Sequence, residues 1–219
     1  MLASYKVGGT AAIVCAISYI FGILTFQFLA PGLYDIPEGH LAVFEQFGWW
    51  LYVWYFIVFV VVGFCVVFTN HALLKPFDKL PSGVTMFITL TAYLGASYTF
   101  IIFAIQMFSH VFLLAEHNLS GFERSQLTTQ IYTVLTQLRS YTEWTIDLWL
   151  FLISALLLKT QQLNRILGIL GMSTAILGVL ILNPNFFDYV TLYVWSISIW
   201  FFAIGVQLLR QKLGKPAIS

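Results

Sequence analysis

Residues 47–69, Phe47 to Thr69, read FGWWLYVWYFIVFVVVGFCVVFT, with no charged, amide or histidine side chain among them. As an α-helix this stretch would be about 34 Å long, enough for a hydrocarbon core about 30 Å thick. A water-facing helix of that length needs a polar stripe, and none is present, so the segment reads as a membrane-crossing helix. Five more apolar runs lie on either side of it: Gly8–Ala30, Val84–Ala115, Thr142–Leu158, Ile166–Leu182 and Tyr189–Leu209. The first is too long for a secretory signal and lacks a small-residue cleavage pattern, so it reads as a retained span.

Composition points the same way. Hydrophobic residues make up 60% of the 219 and charged residues only 9%, against about 25% charged in soluble domains. So few charges could not wet the surface, and most of it must face lipid. A net charge of +1 supplies no basic patch to neutralise phosphates, which excludes a nucleic-acid partner. Cys15 and Cys65 are isolated within apolar runs and read as packing residues, since zinc sites need clustered ligands.

Charge sets the expected orientation. With the N-terminus cytoplasmic, Lys6, Lys75, Lys79, Lys159, Arg165, Arg210, Lys212 and Lys215 fall inside, and only Arg124 and Arg139 outside. The expected fold is therefore all-α: one domain over residues 1–219, a polytopic bundle of six transmembrane helices with N- and C-termini cytoplasmic. Trp49, Trp50, Tyr52 and Trp54, with Tyr189, Tyr193 and Trp195, are expected to form an outer interfacial belt. Pro31–Asp35 resembles Pro184–Asp188, and Leu51–Trp54 resembles Leu192–Trp195. Span pairs one–two and five–six could thus be diverged copies.

The long outer connection carries its own pattern. Ser120 and Glu123 form a capping-box signature. Leu127, Ile131, Val134, Leu138 and Tyr141 then recur at helical spacing, opposite Gln126, Gln130, Thr133 and Gln137. This amphipathic helix runs into span four and either bends near Arg139–Ser140 or projects from the bilayer beside an overlong span three.

Ionisable residues inside a membrane are costly and invite a functional reading. Asp147 is twelve residues from Lys159, about 18 Å along a helix, with Glu143 one turn further out. A carboxyl there is cheapest when neutral or partnered. Span three offers a seam of small and polar residues, Thr85, Thr89, Ala92, Ala96, Thr99, Phe103, Gln106, His110, Leu113 and His117, of the kind that packs against helices. The expected site joins Asp147 and Glu143 to His110, Gln106 and Thr99, between spans three and four near the outer face. It could lock the bundle, hold a ligand or proton, or, through His110, His117, Glu143 and Asp147, bind a metal. No catalytic motif accompanies it, and no cofactor is specified. Gly168, Gly171, Ala175 and Gly178 on span five, and Gly8, Ala12 and Ala16 on span one, read as close-packing faces.

Two segments carry a family likeness. Lys6–Ala12 opens the first span with Val-Gly-Gly-Thr-Ala-Ala after the lysine. Arg165-Ile-Leu-Gly168 turns the chain between spans four and five. With the chain's size, these resemble a group of six-span bacterial integral membrane proteins catalogued as a domain of unknown function, and cover about a third of the chain. The resemblance implies a multi-pass protein of the bacterial inner (plasma) membrane. The expected function is a non-catalytic subunit or binding protein whose partners are the lipid bilayer, other membrane subunits or a hydrophobic ligand. A small proton-coupled transporter and a membrane-embedded metalloenzyme are the alternatives.

Overall fold

The structure, a computed structural model, describes residues 2–29, 43, 46–77, 82–115, 120–142 and 144–210. Among these, every regular element is helical. Helix α1 (Leu2–Leu24) continues as a π-helical turn over Thr25–Leu29. Helices α2 (Trp49–Tyr55) and α3 (Val62–Leu74) are joined by a π-helical segment, Phe56–Val61, into one long rod. They are followed by α4 (Ser82–Ala115), α5 (Gly121–Thr142), α6 (Trp144–Lys159), α7 (Arg165–Leu180) and α8 (Val190–Leu209).

Among the described residues, four stretches are long and apolar enough to cross a membrane: Ser4–Leu29, Trp49–Phe77, Gly83–Ser109 and Val190–Leu209. Their outward faces carry bare hydrophobic side chains, among them Phe64, Phe68, Met86 and Phe202. Apolar surface on this scale marks contact with lipid or protein rather than water. The two expected spans outside this set, α6 and α7, have 16 residues each, about 24 Å of helix.

Glycines set how closely the rods approach. A Cβ on Gly8 would overlap Ala72 of α3, and one on Gly9 or Gly205 would press into the opposing α8 or α1. The start of α1 therefore packs beside the end of α8, so both lie at one end of the bundle. Gly63 of α3 receives Thr99 of α4, Gly95 of α4 receives Ile146 of α6, and Gly168 of α7 receives Leu158 of α6. The paired contacts run antiparallel between α1 and the α2–α3 rod, between α3 and α4, and between α6 and α7. The close-packing faces expected on spans one and five are both buried, and Cys15 and Cys65 are buried free thiols.

Helix α6 is the centre of the bundle. Its residues Thr145, Ile146, Asp147, Trp149, Leu150, Ile153, Ser154 and Leu157 are buried on more than one face. On one side Trp149 Nε1 donates to Asn70 Oδ1 of α3 at 2.9 Å, and Asn70 Nδ2 donates to Thr89 Oγ1 of α4 at 3.4 Å. The Trp149 ring also stacks on Phe201 and meets the edge of Trp200, both of α8. The turn out of α6 is tight because Gln161 takes a left-handed φ of 56°. Gln162 N–H then reaches Leu157 O, and Gln161 N–H reaches Leu158 O, the Schellman pairing that closes a helix end. Asn164 caps α7 by accepting from Ile166 N–H at 3.0 Å.

The outer part of α4 lies against α5. Tyr98, Ile102 and Leu135 form the centre of that contact, with Ile131 and Leu138 beside them. The buried stripe of α5 thus runs through Leu135, whereas Val134, expected in the stripe, is exposed. Gln126, Gln130, Thr133 and Gln137 are exposed as expected. The helix continues through Arg139–Ser140 without a break. At 34 residues α4 is about 51 Å long, well beyond a 30 Å hydrocarbon core, which suits a projecting α4–α5 hairpin.

The capping box at the start of α5 is formed in full. Ser120 N–H and Oγ–H both donate to Glu123 Oε2, at 2.9 and 2.7 Å, and Glu123 N–H donates to Ser120 Oγ at 3.3 Å. The Ser120 hydroxyl, then its backbone amide, hold the Glu123 carboxyl below its usual range. A lowered folded pKa means the cap is intact above the ordinary glutamate range and is lost as pH falls through the folded value. Protection of the first-turn amides of α5, measured as exchange relative to the intrinsic rate at each pH, is therefore expected to fall on acidification. Glu123→Gln, which keeps the box without a titrating group, should make it independent of pH. Equal acid sensitivity in both proteins would remove Glu123 as the cause.

Of the aromatic belt, Trp49, Tyr189 and Trp195 are exposed as expected. Trp54 is not part of it: it is 4% exposed and donates Nε1–H to Gly22 O at 3.1 Å. Trp54 and Trp195, equivalent in the suggested internal repeat, therefore occupy different environments. The first copy's Pro31–Asp35 lies outside the described residues.

Candidate functional site

Asp147 is the one acidic or basic side chain classed as buried among the described residues, with 2% of its surface exposed. Its place on α6 follows from helix periodicity. Ile146 turns toward Gly95 of α4, Trp149 toward α3, and Asp147 toward α7 and α8. Tyr193 O–H of α8 donates to Asp147 Oδ1 at 2.9 Å. On α7, Gly178 lies flat against the carboxyl, and a Cβ there would overlap Oδ1, Oδ2 and Cγ. A carboxyl that accepts a hydroxyl proton across a three-helix crossing is stabilised in a site that water does not reach.

The same seam repeats one heptad inward. Ser154, Gly171 and Trp200 stand seven residues from Asp147, Gly178 and Tyr193 in the matching directions, and a Cβ on Gly171 would overlap Ser154 Oγ and crowd Trp200 Nε1. Ser154 Oγ, Trp200 Nε1 and Thr174 Oγ1 are buried without a hydrogen-bond partner. Sequence reading identified the glycines of this seam but assigned Tyr193 to the belt and passed over Ser154, Thr174 and Trp200. Their signal is the shared seven-residue spacing on three helices.

Two of the expected companions of Asp147 on span three, Thr99 and Gln106, are not brought to it. The span-three seam is interior, as expected, but it faces span two. Thr99 packs into Gly63 of α3, and its hydroxyl donates to Ala96 O at 2.8 Å. Gln106 is buried with Oε1 unpaired. It lies eleven residues outward from Gly95, which is level with Ile146, and so about 16 Å along the axis from Asp147. Its neighbours Phe103 and Met107 pack on the Leu51, Trp54 and Tyr55 cluster. The reason lies on α6: Ile146 meets Gly95 of α4, and Asp147, one residue on and about 100° round the helix, is turned to α7 and α8. His117 and Glu143 fall outside the described residues, as does the side chain of His110. Among the described residues no group of three or more His, Cys, Asp or Glu is placed to hold a metal.

No family model, curated protein or solved structure matches the chain.

Proposed function

We propose that this chain is a six-span integral membrane protein of the bacterial inner membrane, with both termini cytoplasmic, acting as a non-catalytic subunit or binding protein. In this reading α6 and α7 are the fourth and fifth spans, α6 buried among the longer rods and α7 packed on it by one face, and α5 extends the fourth span outward. The positive-inside bias of the sequence and the packing of the start of α1 beside the end of α8 support this topology. Cysteines introduced at Ser82 and Ser125 are expected to label from opposite sides of the membrane. Labelling of both from one side would reject it.

The observation that carries the functional reading is the closure of Asp147 against Gly178 under the Tyr193 hydroxyl. That arrangement uses the carboxyl to assemble spans four, five and six, and leaves substrate no approach to it. The projecting α4–α5 hairpin would then be the part offered to a partner. A second reading, a small proton-coupled transporter, draws on the unpartnered polar atoms of Ser154, Thr174 and Trp200 that continue the seam inward.

Asp147→Asn separates the two. The amide oxygen can still accept from Tyr193, so the fold should change by less than about 1 kcal/mol. In vesicles carrying an imposed pH gradient, the lock reading expects wild type and Asp147→Asn to relax the gradient equally. A relaxation specific to wild type and lost in the variant would replace the lock with proton transport.

A further inference from the structure

We propose that the groove between the inner halves of α4 and α6 binds one anionic phospholipid of the cytoplasmic leaflet, its acyl chain in the groove and its phosphate at Lys159. The inference rests on the membrane-spanning reading above but not on any role for Asp147. The groove has a volume of about 410 Å³ and is lined by Gly83, Phe87 and Ile88 of α4 and by Leu152, Leu156 and Lys159 of α6, among others. Its walls are almost wholly apolar, and among the described residues its one charged lining residue, Lys159, stands at the end of α6. From Leu152 to Lys159 the groove spans about 10 Å of helix, around two-thirds of the depth of one leaflet's hydrocarbon. An apolar groove of that depth with a cation at its mouth matches a lipid, not a soluble anion.

Gly83 leaves one wall of the groove without a side chain. A Cβ at that position would meet nothing within 4 Å, so the absent side chain is not required by any helix contact. Elsewhere in the bundle the buried glycines are filled by a neighbouring helix; here the space is left open to lipid. A lysine at this level attracts anionic headgroups by an amount equivalent to about fivefold in affinity.

The test uses the whole chain purified in detergent and exposed to mixed micelles of phosphatidylglycerol and phosphatidylcholine, with retained lipid counted by native mass spectrometry. Wild type is expected to retain one phosphatidylglycerol, preferred about fivefold over phosphatidylcholine. Lys159→Gln should bring the two lipids to parity, and Lys159→Arg should keep the preference. Gly83→Phe, which extends into open space, should remove the retained lipid while leaving the thermal unfolding midpoint in place. If that variant fails to fold, Ala155→Phe blocks the same groove from α6. An unchanged preference in Lys159→Gln, or retention in a folded groove-filled variant, would overturn the proposal. So would competition by inorganic phosphate alone, which would mean an anion site without an acyl chain. Failure of the chain to fractionate with membranes would instead reject the membrane reading itself.

Discussion

Gly178→Ala is expected to destabilise the protein by about 2–5 kcal/mol, although the change adds a single methyl group to a helix and improves intrinsic helix propensity. The methyl would occupy the volume now held by the Asp147 carboxyl. Two costs follow. Overpacking a tight crossing typically costs 1–3 kcal/mol, and turning the carboxyl from the Tyr193 hydroxyl exposes both groups to the cost of an unmade buried hydrogen bond, about 1–3 kcal/mol. Propensity returns at most about 1 kcal/mol. Gly83→Ala is the internal comparison, since its Cβ meets nothing, and it should be neutral or slightly stabilising. The cause is checked by a cycle. Asp147→Ala makes room for the methyl, so the double variant Asp147→Ala/Gly178→Ala should lose less than the sum of the single losses. Thermal unfolding of all four proteins in one detergent reads both terms. Strict additivity would show that Gly178 and Asp147 do not share the site described.

That crossing also shows what the sequence made legible. Apolar runs and their lengths identified the helices, because lipid leaves the backbone no alternative to internal hydrogen bonding. The capping box at Ser120 and Glu123 and the glycine faces were readable because each depends on a local pattern. Asp147 stood out because a carboxyl in an apolar run is costly wherever it lies. Its partners were not readable, because they depend on which neighbour each helix face meets. Helices α4 and α6 do touch, but at Gly95 and Ile146, about a quarter-turn of α6 from Asp147. The seam of span three is interior over its described residues, where Thr89 and Thr99 meet Asn70 and Gly63 of α3. Trp149 gave no signal at all, since an indole in an aromatic-rich span looks the same whether it faces lipid or a buried asparagine.

Trp149→Ala is expected to be among the most destabilising substitutions in the chain, at about 3–5 kcal/mol, the range for truncating a fully buried aromatic. Trp149 has no exposed surface, and its ring is enclosed by Trp200 and Phe201 while its Nε1–H reaches Asn70 on the opposite side. Trp149→Phe distinguishes the packing from the hydrogen bond. It keeps most of the ring contact but leaves Asn70 Oδ1 without that donor in the bundle interior. An orphaned buried acceptor costs about 1–3 kcal/mol in soluble proteins. In a membrane the unfolded helices find other partners, and measured interhelical bonds average about 0.6 kcal/mol. The loss in Trp149→Phe should therefore fall near 1–2 kcal/mol, with packing supplying most of the alanine effect. Asn70→Leu alone orphans the indole N–H in turn. In the double variant Trp149→Phe/Asn70→Leu neither orphan remains, so its loss should be smaller than the sum of the two single losses. Equal losses for Trp149→Phe and Trp149→Ala would reverse the order of the two effects. The hydrogen bond between α6 and α3 would then outweigh the aromatic packing in holding the central helix.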